Sequence, residues 1–503
     1  MTDTTQGRYE QLKSRREPFL TRARECSAIT IPALLPPQGH NSHTVLPAPY
    51  QGLGARAVVS LASRLMIAMY PPGMSSFRLQ IPSEILMQQG EMETDQETER
   101  GLALSEKAIS NEIERKQWRQ PTHLTLQYLI TTGNALEQVL PDNRMRVFRL
   151  DQYVVVRDMT GDVTEIIIEE YFSPNNLPAS VRSMLKAEDA PTQRVPIYTS
   201  CKYNKDGKYD VHQEVSGSKV PDSVGTYDVC PFNALRWTSV IGEDYGRGKC
   251  EEHLGDLMAV DGLSKSMLDG AALASRHIMM IRPNAAGGLN LRRRLSKADN
   301  GEYVVGNPED IGMLAYQNAP GLQVAKAELD EKKREIAAAF LMNSSVQREG
   351  ERVTAYELKM MAEELEGSLG GAFSMLSRDM QSARLNRLIT QMQAQGKLPP
   401  WPEGVVEPTV LTGLESLGRE QDVQRVGSAL QFLQGLPPEI LDYVRWEKLL
   451  GKAFNGLSLE DAVNTEDEVA QKRQQRQVES GLGSAAEAGG AAMAQQAVEQ
   501  GGM

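Results

Sequence analysis

Glu251 to Ile281, EEHLGDLMAVDGLSKSMLDGAALASRHIMMI, is the stretch whose reading decides the fold. Glu251 and Glu252 open it and Arg276, His277 and Arg282 close it, the polarity that suits a helix dipole at both ends. As one helix it would span roughly 45 Å at about 1.5 Å per residue. After an excursion from Ala285 to Pro320, the segment Leu322 to Met342 is helical again. Ala325, Leu329, Ile336 and Phe340 fall on one stripe, with a dense mixed-charge face between them. The segment stops at Asn343. The polar loop Asn343-Ser344-Ser345-Val346-Gln347-Arg348-Glu349-Gly350-Glu351-Arg352 follows, and Thr354 with Glu357 forms a capping box that opens a third helix. Two long helices flanking a tight polar tip suit a pore lining better than an active site.

The third helix is expected from Ala355 to about Gln395. Leu358, Met361, Leu365, Leu369, Phe373, Leu376 and Met380 step by three or four along it. Gly370-Gly371 lies inside, and a glycine pair is a known cause of a bend, so a kinked helix is predicted. Upstream, the spacing predicts a helix over residues 1–30, a Pro-rich connector from Pro32 to Pro49, and helices over Gly52 to Met69 and Thr94 to Trp118. From Val139 the period changes to that of strands. Met145 to Leu150, Tyr153 to Asp158, Val163 to Phe172, Pro196 to Tyr203 and Tyr209 to Val215 are rich in β-branched and aromatic residues. Met159-Thr160-Gly161-Asp162 and Asn204-Lys205-Asp206-Gly207 supply turns between them. An antiparallel sheet between about 140 and 240, interrupted by a helix over Leu177 to Lys186, makes the class α+β and predominantly helical. Further helices are expected over Arg419 to Leu433 and Glu439 to Ala453. The Ala, Gly and Gln tail from Gly481 to Met503 has too little bulky surface to order itself.

At 503 residues the chain is long enough for more than one domain. A net charge of −12 argues against a sequence-reading DNA binder, whose affinity rests on many Lys and Arg contacts to phosphate. Cys26, Cys201, Cys230 and Cys250 are widely separated with no CxxC pair, so neither a zinc ribbon nor a disulfide framework is indicated, and a reducing cytoplasm fits them. No targeting signal is evident. The most apolar stretch, Leu53 to Tyr70, carries Arg56 and Arg64 and is a poor membrane span.

Gly242 to Cys250 has the look of a phosphate loop, but five residues separate Gly242 from Gly248-Lys249 and Cys250 stands where magnesium needs Ser or Thr. A flexible lead into the first long helix fits it better. His40 and His43 have no third metal ligand nearby in sequence. Hydrolase signatures such as GxSxG and HExxH are absent. No catalytic residue, metal or cofactor is therefore expected. The one concentrated basic cluster is Arg292-Arg293-Arg294 with Lys297, either a solvated loop or a contact for an acidic partner or DNA.

Many ordered blocks carry a likeness to a known family. Tyr245-Gly246-Arg247, Glu251-Glu252, Leu254-Gly255-Asp256-Leu257, Arg293-Arg294-Leu295, Gly301-Glu302-Tyr303-Val304-Val305-Gly306 and Pro308-Glu309-Asp310-Ile311 resemble the head-to-tail connector, or portal, of T7-like short-tailed bacteriophages. So do Ala339 to Ser344, Val346-Gln347-Arg348, Gly350 to Ala355, Glu364-Leu365-Glu366 and Leu369-Gly370-Gly371, and near the N-terminus Thr21-Arg22-Ala23, Thr30-Ile31-Pro32 and Gly54-Ala55-Arg56.

The resemblance implies a portal fold with wing, stem, clip and crown. Residues 1–250 would be the wing, 251–281 and 322–342 the stem helices, 282–321 the clip and 343–353 the tunnel loop. Residues 354–398 would be the long kinked helix of the wing, 399–480 a helical crown and 481–503 a disordered tail. It implies a ring, a dodecamer in that family, at one capsid vertex of the virion, assembled in the host cytoplasm. Double-stranded DNA would pass through it without sequence specificity during packaging and ejection. Its partners would be the large terminase, the tail adaptor, internal core proteins, and the major capsid and scaffold proteins, with no membrane. Gln347, Arg348 and Arg352 would face the channel. Lys332, Lys333 and Arg334 would lie on the stem, while Arg292, Arg293, Arg294 and Lys297 would meet partners at the clip. The other reading is a different virion structural protein, such as a scaffold or minor capsid subunit.

Overall fold

Tyr9, Leu12, Arg16, Leu20 and Ala23 form the buried stripe of the first helix, α1 (Thr5–Ile29), and their spacing of three and four is what lets the segment lie as a helix against a sheet. Thr4 caps it by accepting from the Gly7 N–H. The computed structural model describes residues 4–41, 43–70, 76–82, 96–185, 194–274, 278–281, 288–299, 303, 311–314, 319–342, 360, 364–365, 367–369, 372–401, 406–410, 426–429 and 431. The chain divides into two units, Met1–Met66 with Trp118–Glu349, and Ile67–Gln117 with Gly350–Met503.

In the first unit α1 packs on an antiparallel sheet of six strands. β4 (Tyr153–Arg157), β5 (Val163–Phe172), β6 (Val195–Tyr203) and β7 (Tyr209–Val215) run in that order, and β8 (Ser218–Lys219) and β9 (Gly225–Tyr227) both pair with β7. Tyr9 and Leu12 meet Val154, Ile167 and Tyr198 on one face of this sheet. On the other, Ile166, Ile168, Tyr153 and Cys201 pack with Leu20, Ala23, Phe148 and Phe232. The two hairpin turns use one device. Asp158 accepts from the Thr160 and Asp162 N–H groups and Asn204 from those of Asp206 and Lys208, while Gly161 and Gly207 take positive φ. A second sheet, in the order β10 (Phe232–Arg236), β2 (Asn134–Val139), β3 (Met145–Phe148), lies in the same unit.

In the second unit β1 (Phe77–Gln80) pairs antiparallel with β13 (Glu407–Val410), two segments far apart in sequence. The Leu79 N–H donates to Glu106 in a helix, Gln96–Arg115, at 2.8 Å. From another helix, Ala372–Ala394, Gln381 donates to the Met69 carbonyl and Arg384 to the Tyr70 hydroxyl, both at 3.1 Å.

The mixed α+β class expected from the sequence is the one observed, and the predicted strands lie within a residue or two of β3 to β7. Other expectations change. The helix expected over Thr94 to Trp118 ends at Arg115, Gln117 takes φ +53°, and a separate helix, Arg119–Thr132, follows. The helix expected over Leu177 to Lys186 is one turn, Ala179–Arg182. The run Glu251 to Ile281 is not one helix: it comprises Lys249–Glu252, then Leu254–Ala274, then strand β11 (Ile278–Ile281). Gly370, Gly371, the loop 343–353, most of 399–480 and the tail 481–503 lie outside the described residues. Of the helix expected over Arg419 to Leu433, residues 426–429 and 431 are described and are helical.

Candidate functional site: an antiparallel helix pair and its basic tip

The glycine run that imitates a phosphate loop is a packed joint. Asn134 grips the Gly246 peptide from both sides, its Nδ2 donating to the Gly246 carbonyl at 2.9 Å and its Oδ1 accepting from the Gly246 N–H at 2.8 Å. Gly133 ends the helix Arg119–Thr132 at φ +76°, and a Cβ there would fall 2.5 Å from the backbone of Arg247 and Gly248. Three glycines allow three backbones to touch. The loop is therefore clamped rather than a flexible lead. Arg247 reaches Glu243 and Glu251, each at 2.8 Å, and Arg22 on α1 reaches Glu251 at 3.2 Å. The root of the following helix is thus fixed to α1 by a small ion network.

From this root rises the helix Leu254–Ala274, and Ala319–Ala339 returns along it. Each has 21 residues, roughly 31 Å at 1.5 Å per residue. One antiparallel register runs through the pair. His253 faces Phe340 with ring centroids 5.6 Å apart, Lys332 Nζ lies 3.1 Å from Asp256, and Gly270 is so close to Leu322 that a Cβ would meet its Cδ2 at 2.8 Å. The register continues into a ladder, where β11 pairs with β12 (Ile311–Leu314), Ile278 opposite Leu314 and Ile281 opposite Ile311. Leu257, Val260, Leu329, Ile336 and Phe340 are buried, while Met258, Leu268, Leu273 and Val324 are exposed. At the lower end the His253 imidazole is held below its ordinary pKa, first by burial and then by the Lys249 charge.

Between β11 and β12 sits a short helix, Gly288–Leu295, with Arg292, Arg293 and Arg294 in its last turn. Cations at a helix C-terminus complement its dipole. All three arginines and Lys297 are exposed. Among the described residues no group of His, Cys, Asp and Glu is arranged to hold a metal, and no helix is long and apolar enough to cross a membrane.

The family of the bacteriophage head to tail connecting protein matches residues 2–463. The chain belongs to that family. This connector is 34% identical over 517 residues to the portal protein of Escherichia phage T7, covering 98% of this chain and 94% of that one. It is 34% identical over 510 residues to the portal protein of Enterobacteria phage T3, covering 97% and 93%. To the portal protein of Enterobacteria phage SP6 it is 27% identical over 481 residues, covering 93% and 91%. Its function is the head-to-tail connection of a phage particle, a structural role.

The connector's sequence-predicted residues fall into three groups. Arg292, Arg293 and Arg294 lie on the short helix Gly288–Leu295 with Lys297 just after it, all exposed. Lys332, Lys333 and Arg334 sit on the returning helix, but they do not act as one cluster: Lys332 is paired with Asp256 and Glu335, Lys333 is half-buried and Arg334 is exposed. Gln347, Arg348 and Arg352, with Gly370 and Gly371, lie outside the described residues. Sequence reasoning missed the Asn134 clamp and the tilted ring contact of His253 with Phe340. Asn134 beside a glycine at a helix end was the only available hint of the first. The second joins residues 87 apart, and no local pattern marks it.

Proposed function

We propose that copies of this connector close into a ring, twelve-fold as in the T7-like portals, at one capsid vertex of the virion, and that double-stranded DNA passes through the ring during packaging and ejection. The observation that carries this reading is the antiparallel helix pair: a stiff rod rooted by the Arg247 and Arg22 ion pairs, extended by the β11–β12 ladder and ended by an arginine-bearing tip. In this assignment residues 251–281 and 322–342 are the stem and residues 282–321 are the clip. Residues 1–250, which hold the six-stranded sheet and α1, are the wing together with the long helix 354–398; the loop 343–353 is the tunnel loop, and 399–480 form the crown. Arg348, Arg352 and Gln347 face the channel. The clip takes the large terminase during packaging and the tail adaptor afterwards. Internal core proteins, the major capsid protein and the scaffold meet the rest of the ring, which is assembled in the host cytoplasm.

A conduit must not grip its cargo. Each added phosphate contact deepens the well that DNA has to leave at its next step, and the net charge of −12 per copy keeps such contacts weak. Closure of a ring from identical copies requires two different faces on each subunit. The exposed Met258, Leu268, Leu273 and Val324 on the two long helices are suited to meeting a neighbouring copy. No catalytic step is needed, because a motor partner supplies the work. The test is negative-stain microscopy of the purified full chain. Rings with a central hole are expected, and a chain that stays monomeric from low to high salt overturns the reading.

A further inference from the structure

The four cysteines are widely spaced in sequence, yet the fold brings two of them together. Cys201 on β6 lies opposite Ile166 on β5 and Val211 on β7, and it is 1% exposed within the core that also holds Phe148, Tyr153 and Phe232. Cys230, half-buried, sits two residues before β10 and packs on the same core. Their Sγ atoms are 3.8 Å apart. Neither is in a disulfide. A disulfide needs the two sulfurs at roughly 2.05 Å, so the gap left to close is short.

We propose that Cys201 and Cys230 form a thiol-modification site, a dithiol that small disulfides convert to an internal disulfide joining the six-stranded sheet to the three-stranded one. The order of events follows from exposure. Cys230, the reachable sulfur, attacks one sulfur of a small disulfide such as oxidised glutathione. That S–S bond breaks, a mixed disulfide forms on Cys230, and the first glutathione leaves as thiolate and takes up a proton. Cys201, deprotonated in turn, attacks the Cys230 sulfur and expels the second glutathione. Two protein thiols are oxidised and one small disulfide is reduced to two thiols, with no other oxidant required. In the dithiol the hydrogen bond from Cys230 and burial both raise the Cys201 pKa. Once Cys230 is held in the mixed disulfide, burial remains, so the closing step is slow at neutral pH and accelerates as pH rises. Cys26 and Cys250, both buried, provide internal references that the reagent does not reach.

The experiment treats the full folded chain with oxidised glutathione, blocks remaining thiols under denaturing conditions, and maps the peptides by mass spectrometry. Titratable thiols are expected to fall from four to two, with the peptides bearing Cys201 and Cys230 joined and two hydrogens lighter. Cys201→Ser is expected to halt the reaction at a mixed disulfide on Cys230. Four thiols retained, a mixed disulfide persisting on Cys230 of the unsubstituted chain, or a bond between Cys26 and Cys250 instead would each overturn the proposal. Should Cys201→Ser not fold, the unsubstituted chain alone decides.

Discussion

Lys332 Nζ lies 3.1 Å from the Asp256 carboxylate across the helix pair and 2.9 Å from Glu335 one turn along its own helix. One cation thus bridges the two helices at the level of the root. Because the site is open to water, the interaction is screened by salt. Asp256→Lys is expected to lower the melting temperature at low ionic strength and to do so less at high salt. Adding Lys332→Glu should recover much of the loss. Melting curves of the two variants at two salt concentrations check this, and an equal loss at both would remove the electrostatic reading.

Gly270 faces Leu322, and the sign of a substitution there depends on what gives way. An added methyl meets the far end of a mobile leucine, which can turn aside, while alanine gains about 1 kcal/mol of helix propensity over glycine. Gly270→Ala is expected to be near neutral. Gly270→Leu has no such escape and should cost about 1–3 kcal/mol by overpacking. Urea unfolding of both variants distinguishes the two outcomes.

The Asn134 clamp leaves two buried backbone groups of Gly246 without partners when the side chain is truncated. Asn134→Ala is expected to cost about 2–6 kcal/mol, since each of the two orphaned buried groups costs about 1–3 kcal/mol. Gly246→Ala should be at least as damaging, because its Cβ would fall 2.8 Å from the Gly133 carbonyl oxygen. Chemical denaturation measures both. A loss for Asn134→Ala confined to a few tenths of a kcal/mol would show that the clamp is not structural.

Histidines 123, 212 and 253 are each held below the ordinary imidazole value of 6.5, with burial the first cause at all three. A depressed pKa in the folded chain means that the unfolded chain binds more protons between the two values. This contribution to stability is therefore complete above about 6.5 and is lost as pH falls through the folded values. The melting temperature should decline as pH falls below about 6.5, and His253→Gln should flatten part of that slope.

Arg292, Arg293 and Arg294 share one exposed helix turn. Their replacement by alanine is expected to leave ring formation intact and to weaken docking of an acidic partner protein in a salt-dependent way. A binding series over ionic strength with unchanged affinity would exclude that role.

Local chemistry made much of this fold legible. The turns at Met159 to Asp162 and Asn204 to Gly207 carry their own signals, so β4 to β7 could be read within a residue or two. The helix pair was legible for the same reason, from stripes such as Leu329, Ile336 and Phe340. Its upper end was not. Ile278-Met279-Met280-Ile281 is apolar in either a helix or a strand, and only its pairing with Ile311–Leu314 makes it a ladder. β1 and β13 were hidden similarly, because each is four residues long and its partner is more than three hundred residues away. At the site, the arginine cluster was visible as composition. The pairing of Lys332 with Asp256 was not, since 76 residues separate them.

The shared register from His253–Phe340 up to Ile278–Leu314 also limits how this chain can drift over generations. A residue inserted in one limb would turn every later side chain by about 100° away from its mate. Lengthening the rod therefore demands a compensating insertion in the other limb, made in whole turns. Its span should be inherited in discrete steps, and descendants with stems of unequal limbs should not persist.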